Sequence, residues 1–356
     1  MTNVSTLRLR WDDPALLSDL ALKINLKALQ LDGTVTTIMN ESMAAQLRTH
    51  TSNLVDVLKN QKSLRKLCLN SFYVDGTSLY LILKNMPHLE VLELRQCTGT
   101  MDLPKDAKPL SVKDFRIDDM NRGHMAYAGL LNLFPGLQEF RTCSDRGEYD
   151  VADMIGVLKN SCKNLRALHL DSFHNPVWIA QMILHSPGSI LEFYITVQRV
   201  IPAITYALTS RAKSAMTITI ATHQECYSDL GEYLEILAGC HQLQTFRAQT
   251  HILAESVSEI LFQRPWSCAQ LRTIELQGPR DHDERLIEEI PSPWILSHAN
   301  ERFMDQKIWT KNYSEEACKK RQVLEFHARL LKHIGPMKKL QEVIVNDSRY
   351  TRTASS

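Results

Sequence analysis

One short pattern of apolar residues recurs along almost the whole chain and limits what the chain can fold into. The pattern is L-x-x-L-x-L, with aliphatic or aromatic substitutes. Two of its copies, "VLKNQKSLRKLCLNSF" and "VLKNSCKNLRALHLDSF", are near-duplicates. Twelve copies are recognisable, with central residues Leu7, Leu29, Leu67, Leu92, Phe115, Phe140, Leu168, Phe193, Ile218, Phe246, Ile274 and Val343. An internal repeat of this kind predicts stacked structural units rather than one closed core.

The spacing of the copies identifies the type of repeat. Eight consecutive steps, from Leu67 to Ile274, are 23–28 residues long, within the period of roughly 20–29 residues of leucine-rich repeats. The x-L-x-L-x core alternates as a half-buried strand does, and stretches such as "VADMIGVLKN" have helical spacing. A single strand and helix cannot bury their apolar faces, so neighbouring units must stack. We predict an α/β leucine-rich-repeat solenoid (horseshoe), a curved parallel sheet with helices on its convex side.

Interruptions of the rhythm suggest the domain organisation. Residues 1–278 are predicted to form the solenoid. A polar, Pro-containing stretch predicts an irregular insert over 279–315, and a helical pattern followed by the last copy predicts a terminal helix and a final repeat strand over 316–346. The polar residues 347–356 are expected to be a disordered tail.

Composition argues against several classes of protein. The 356 residues contain 41 Lys and Arg against 40 Asp and Glu, a net charge of +1, which gives no electrostatic reason to bind nucleic acid or acidic membranes. The eight cysteines are scattered, as in a protein of a reducing compartment. The start of the chain is too charged for a signal peptide, and no stretch is apolar enough to span a membrane. We expect a monomer in the cytoplasm or nucleus.

The chain resembles the fungal F-box/leucine-rich-repeat proteins, whose solenoid is of the ribonuclease-inhibitor-like type. The resemblance is carried by the K-x-L-R-x-L-x-L copies, by "RPWSCAQLRTIEL" at 264–276 and by "RQVLEFHARLLKHIGPMKKLQEVIV" at 321–345. It implies a non-enzymatic substrate-recognition subunit of an SCF-type ubiquitin ligase. Members of that family begin with an F-box, a helical module that binds the Skp adaptor, whereas here the first repeat already begins at Val4. A Skp and cullin complex is therefore expected only if an F-box exists upstream.

The exposed positions of the strands are the candidate binding residues. In one parallel sheet, the x positions of x-L-x-L-x point to the concave face, and arginine and tyrosine are enriched in the energetic centres of protein interfaces. The predicted partner-binding residues are Arg95, Arg116, Asp118, Arg141, His169, Asp171, Tyr194 and Arg247. The alternative is a solvated face on which the arginines pair with Asp118, Glu139 or Asp171.

The sequence contains no pattern that indicates catalysis or a cofactor. It has no G-x-S-x-G, phosphate loop or dinucleotide fingerprint. The cysteines and histidines of "HQEC" and "GCH" lack zinc-site spacing, and "DHDE" lacks a calcium loop. We predict no catalytic residue, metal or cofactor. Two other functions stay open, a GTPase activator of the leucine-rich-repeat type and an inhibitor-type adaptor unrelated to ubiquitination.

Overall fold

The structure, a computed structural model, divides into two compact units. The first comprises Met1–Trp178 and His185–Ile190, and the second comprises Ile179–Leu184 and Leu191–Ser356. The structure describes residues 6–10, 26–33, 54–56, 58, 61–97, 99, 102–119, 127–144, 151–172, 175–222, 229–249, 266–277, 294–298, 329–345 and 348–352.

The described part of the first unit is a parallel sheet with helices in several of the connections between strands, including the helical residues 54–56 and 58 before the third strand. Each strand pairs with the next in chain order, and the central residues of adjacent copies are register partners. The strands are β1 (Thr6–Arg10), β2 (Ala28–Asp32), β3 (Lys66–Asn70), β4 (Val91–Arg95), β5 (Asp114–Asp119), β6 (Glu139–Ser144) and β7 (Ala167–Ser172). The helices are α1 (Gly76–Lys84), α2 (Tyr127–Asn132) and α3 (Val151–Ser161). Helix α4 (Pro176–His185) contributes residues to both units.

The second unit continues the same pattern of parallel strands and ends in two antiparallel ones. Its strands are β8 (Glu192–Val197), β9 (Thr217–Thr222), β10 (Thr245–Gln249), β11 (Thr273–Gln277), β12 (Trp294–His298), β13 (Glu342–Val345) and β14 (Ser348–Arg352). Strands β8, β9, β10, β11 and β13 pair in parallel, and β14 pairs antiparallel with both β13 and β12. The helices are α5 (Pro202–Thr209), α6 (Asp229–Gly239) and α7 (329–334).

A repeated backbone hydrogen-bond arrangement holds neighbouring strands in the same register. Two successive N–H groups at the start of a strand donate to one carbonyl oxygen of the preceding repeat. The N–H groups of Glu90 and Val91, for example, donate to the Arg65 carbonyl at 2.8 and 2.9 Å, and the Met216 carbonyl accepts an equivalent pair in the second unit. Because side chains alternate along a strand, a constant register keeps all the leucines on one face.

The repeated apolar residues form the core of each unit. The central residues of the second to twelfth copies are at most 3% exposed, and each such burial stabilises the fold by about 1.5–3 kcal/mol. In the first unit the ring of Phe115 lies 5.2 Å from Phe134 and 6.0 Å from Phe140, centroid to centroid. The twelve predicted strands are all present, and the predicted fold class, a leucine-rich-repeat α/β architecture, is confirmed.

Helix starts follow local sequence signals. Asp75 precedes α1, and its carboxylate accepts a hydrogen bond from the N–H of Ser78 at 2.9 Å. Asn175 plays the same role for α4, whose first residue is Pro176. A short polar side chain before the first turn satisfies an N–H group that has no partner within the helix, and proline is tolerated there because its missing N–H is not needed.

Two strands lie where the sequence predicted irregular structure. Strand β12 falls inside the predicted insert 279–315, and β14 falls inside the predicted disordered tail 347–356. The other predicted boundaries stay predictions, and residues 317–328 of the expected terminal helix lie outside the described residues.

Strand β14 is ordered because the last repeat strand offers it an edge and an apolar contact. Tyr350 pairs with Val343 of β13 and is 2% exposed. Arg352 donates hydrogen bonds to the carbonyl oxygens of Met337, at 2.6 Å, and Gly335, at 2.8 Å. Both carbonyls lie in the segment that follows α7, so Arg352 links the last strand to this segment.

Candidate functional site

The side chains that alternate with the buried leucines make up a face that we call the polar sheet face of the first unit. It consists of the outward positions of β3 to β7, and strand pairing aligns them in three rows. The first row is Lys66, Val91, Asp114, Glu139 and Ala167. The middle row is Cys68, Glu93, Arg116, Arg141 and His169, and the last row is Asn70, Arg95, Asp118, Cys143 and Asp171. The structure therefore brings Arg116, Arg141 and His169 together on adjacent strands, about 4.8 Å apart.

Glu93 is a buried carboxylate in the middle of this face. Its Oε1 lies 2.8 Å from Lys66 Nζ and 3.3 Å from an Arg116 nitrogen, and its Oε2 accepts a hydrogen bond from Arg95 at 2.7 Å. Three cations on three adjacent strands thus converge on one acid. Burial is the largest single influence on its pKa and acts to raise it, but the hydrogen bond from Lys66 and the nearby positive charges outweigh burial, so the pKa of Glu93 is lowered.

Arg116 is held by its own strand as well as by its neighbours. Its guanidinium donates to both carboxylate oxygens of Asp114, with a shortest contact of 2.6 Å. It also lies within 3.9 Å of Glu139. The hydrogen bond to Asp114 is the main reason why the pKa of Arg116 is raised. Any contact of Arg116 with a partner is therefore constrained by its bidentate pair with Asp114. The sequence had suggested Asp118, Glu139 and Asp171 as the pairing acids, and did not suggest Asp114.

His169 links Glu139 to Arg141. Its Nε2 lies 3.0 Å from a Glu139 carboxylate oxygen, and its Nδ1 lies 3.3 Å from Arg141 Nη2. A carboxylate only accepts and a guanidinium only donates, so these contacts match the neutral imidazole that carries its proton on Nε2. The hydrogen bond from His169 is the largest cause of the lowered pKa of Glu139.

Arg95 and Arg141 are the half-exposed cations among the predicted binding residues of the first unit. Arg95 contacts Glu93, while Arg141 contacts His169 and lies 4.0 Å from Glu139. Asp118 and Asp171, which were also predicted, stand in the last row and are partly buried. Asp118 is the register partner of Arg95.

Tyr194 and Arg247 belong to the second unit, in the middle positions of β8 and β10. The hydroxyl of Tyr194 donates to a Glu192 carboxylate oxygen at 2.8 Å, and Arg247 lies 3.1 Å from Glu275. Strand β9 lies between their strands. Both side chains are anchored by an acid, as on the polar sheet face of the first unit.

Glu93 is not among the binding residues predicted from the sequence, although it is the register partner of Arg116. The strand register, which follows from the aligned repeats, was the signal that could have identified Glu93. Once the repeats are aligned, Glu93 has Lys66 at the start of one neighbouring strand and Arg116 directly opposite on the other. Three cations around one acid could have been found from that alignment.

The described residues contain no group of three or more His, Cys, Asp or Glu that could hold a metal ion. The "HQEC" and "DHDE" segments lie outside the described residues. Cys240, of the "GCH" segment, is buried with its thiol toward the Leu208 carbonyl, and burial raises the pKa of that thiol to about 12. Within the part of the chain that is described, no helix has the length and apolar character needed to cross a membrane.

An open depression of about 520 Å³ lies beside β1, β2 and β3. Its lining is mostly polar and consists of Arg8, Leu9, Arg10, Asp32, Gly33 and Asn70. Arg8 and Asp32 form an ion pair of 2.7 Å inside it. Sites for small molecules are usually enclosed and largely apolar, which this depression is not.

Comparisons with known proteins found similarity to solved structures. The leucine-rich-repeat-containing protein LegL7 from Legionella pneumophila is similar over 77% of this chain and 90% of its own, with 11% identity and a TM-score of 0.48. The structure of a TLR13–ssRNA13 complex is similar over 80% of this chain and 45% of its own, with 12% identity and a TM-score of 0.35. No family model and no curated protein matches the chain.

Proposed function

We propose that this protein is a non-enzymatic binding scaffold that holds a protein partner on the polar sheet face of the first unit. The observation that carries the proposal is the ordered network of charged side chains centred on Glu93 and Glu139. These side chains stand on paired strands and are already fixed by ion pairs. A surface that is ordered before binding loses less conformational entropy when a partner arrives, so more of the contact energy appears as affinity.

The network suggests different roles for the predicted residues. Arg95 and Arg141 reach solvent and are proposed to contact the partner. Arg116, which is bound to Asp114 and close to Glu93, is proposed to stabilise the arrangement of the other charged side chains on this face. Tyr194 and Arg247 are proposed as contacts made by the second unit.

The resemblance to F-box/leucine-rich-repeat proteins supports a finer proposal. The scaffold would present a substrate to an SCF-type ubiquitin ligase in the cytoplasm or nucleus. The polar sheet face would then bind the substrate, and recruitment of Skp and cullin would depend on an F-box that lies upstream.

Affinity capture from a host lysate tests the scaffold proposal. The tagged full chain is compared with Arg141→Glu, which reverses a half-exposed charge without removing any partner of Glu93. We expect Arg141→Glu to lose specific captured proteins that the wild type retains, because a carboxylate at this position repels an acid that the arginine would bind. Recovery of Skp and cullin subunits would support the ligase role, and their absence would favour a plain scaffold.

A matched control comes from the helices of the same unit. Lys84 and Lys159 are exposed on α1 and α3, and their reversal to Glu is expected to leave capture unchanged. If Arg141→Glu folds normally and captures the same proteins as the wild type, the proposed binding face is wrong.

A further inference from the structure

The cations and the carboxylates of the polar sheet face lie at different depths. The exposed fractions of the cationic side chains are 42% for Lys66, 45% for Arg95, 29% for Arg116 and 46% for Arg141. The corresponding fractions of the acids that pair with them are 1% for Glu93, 15% for Asp114 and 32% for Glu139. The two acids Glu93 and Asp114 are therefore buried more deeply than any of the four cations, whereas Glu139 is not.

This layering matters because the charge count by itself predicts no preference for a charged partner. The outward positions of β3 to β7 carry four cations and five carboxylates, the latter being Glu93, Asp114, Asp118, Glu139 and Asp171. A partner that approaches the face meets the outer charges at short range, where Coulomb interactions are strongest. The more deeply buried Glu93 and Asp114 act at longer range, and each already pairs with at least one of these cations.

The two half-exposed arginines retain hydrogen-bonding capacity. Arg95 and Arg141 each use Nη2 for the contacts that they make with described residues. A guanidinium has five N–H donors, so several donors of each side chain have no partner among the described residues. Planar carboxylates match this fork of donors in a bidentate way, which ammonium groups cannot reproduce.

We infer that the polar sheet face of the first unit selects an acidic segment of its protein partner, a stretch rich in Asp and Glu. The inference rests on the proposed function, because it names the chemistry that the proposed binding face recognises. Arg95 and Arg141 bind the carboxylates of the segment, and Lys66 adds a third outward cation. Glu93 and Asp114 act as positioning residues that hold Lys66, Arg95 and Arg116 in place.

Fluorescence anisotropy with the full chain tests this inference. The probe is a labelled ten-residue peptide of alternating Glu and Ser, and the matched control peptide has Gln in place of every Glu. We expect the Glu peptide to bind and the Gln peptide to bind at least about tenfold more weakly, because tenfold corresponds to about 1.4 kcal/mol, which two exposed ion pairs together can supply. Raising the salt concentration from about 0.05 to 0.5 M should weaken binding severalfold, since salt screens exposed charges.

Variants locate the binding on the face. Arg95→Glu combined with Arg141→Glu is expected to weaken binding of the Glu peptide by tenfold or more. Lys84→Glu combined with Lys159→Glu changes the net charge equally on the helices and is expected to stay within about twofold of the wild type. Circular dichroism checks the fold, and the single variant Arg141→Gln gives a second measurement if the double variant does not fold.

Four results would overturn the inference. The Gln peptide could bind as well as the Glu peptide, or the helix variants could lose as much affinity as the face variants. A phosphoserine peptide could bind where the Glu peptide does not, which would assign the face to phosphorylated partners. If the Glu peptide fails to bind while the capture of proteins from lysate still depends on Arg141, the inference of an acidic segment is wrong and the scaffold proposal stands.

Discussion

Replacing Glu93 by Gln is the sharpest test of the buried network, because it removes one negative charge and preserves the size of the side chain. Glu93 is 1% exposed and has Lys66, Arg95 and Arg116 within 3.3 Å. Breaking a fully buried ion pair costs about 3–5 kcal/mol, but these three cations are 29–45% exposed and can regain water. We therefore expect the free energy of unfolding to fall by about 2 kcal/mol at pH 7, in the range of charged hydrogen bonds.

The effect should depend on pH in a defined direction. The pKa of Glu93 is lower in the folded protein than its ordinary value. A carboxylate with a depressed folded pKa stabilises the protein above its unfolded pKa, about 4.3, and loses this contribution as the pH falls through the folded pKa. The difference between Glu93→Gln and the wild type should thus be complete at pH 7 and shrink below about pH 4.

Urea denaturation followed by circular dichroism, repeated at several pH values, measures this difference. Glu90→Gln is the matched control, because Glu90 lies just before the same strand and pairs with Lys113 at 3.0 Å and Arg65 at 3.9 Å, but is 41% exposed. Water and salt screen an exposed ion pair, so the control should change little. A loss for Glu93→Gln that equals the control, or that persists unchanged at pH 3, would refute the account of Glu93 as a buried charge centre.

Three further predictions test the repeat architecture by urea denaturation. Leu168→Ala should lower the free energy of unfolding by about 2–5 kcal/mol because Leu168 is fully buried. Leu7→Ala, at the equivalent but partly exposed position of β1, should lower it by less than half as much. Equal losses would contradict the stacking of the repeats. Asp75→Ala should cost about 1 kcal/mol through loss of the α1 cap, which Asp75→Asn should largely restore. Gly99→Ala should lower the free energy of unfolding by more than about 1 kcal/mol, because Gly99 has a φ of +137° and an added Cβ would lie 2.1 Å from the Val74 carbonyl oxygen. An unchanged urea midpoint would show that the backbone at Gly99 adapts without cost.

The strands were predictable from the sequence because the signal for them is local and repeated. Leu67, Leu92 and Leu168 belong to copies of one template, and each is completely buried at the centre of its strand. The alternation of apolar and other residues needs no tertiary information, since it follows from the two-residue period of a strand. Strand β14 escaped prediction because its five residues contain a single strongly apolar side chain, Tyr350, and depend on the edge of β13.

The candidate site was predictable only as a set of positions. The aligned repeats place Arg116, Arg141 and His169 in one row, and the structure has them there. Which acid each cation binds depends on side-chain conformations across strands, where several acids lie within reach. The shortest contact of Arg116 is to Asp114, two residues away on its own strand, while Glu139, one of the acids that the sequence suggested, lies farther away at 3.9 Å.

The spacing of residues along the chain is enough to specify the repeating strands, the register that follows from a constant period and the face on which the polar residues lie. These properties depend on the spacing of apolar residues, and burial of those residues drives the fold. The burial of Glu93 among three cations and the exposure of Arg95 and Arg141 depend instead on how the strands pack. The depth of a charge depends on all the side chains around it, and neighbouring strands supply these from segments that lie more than twenty residues apart in the chain.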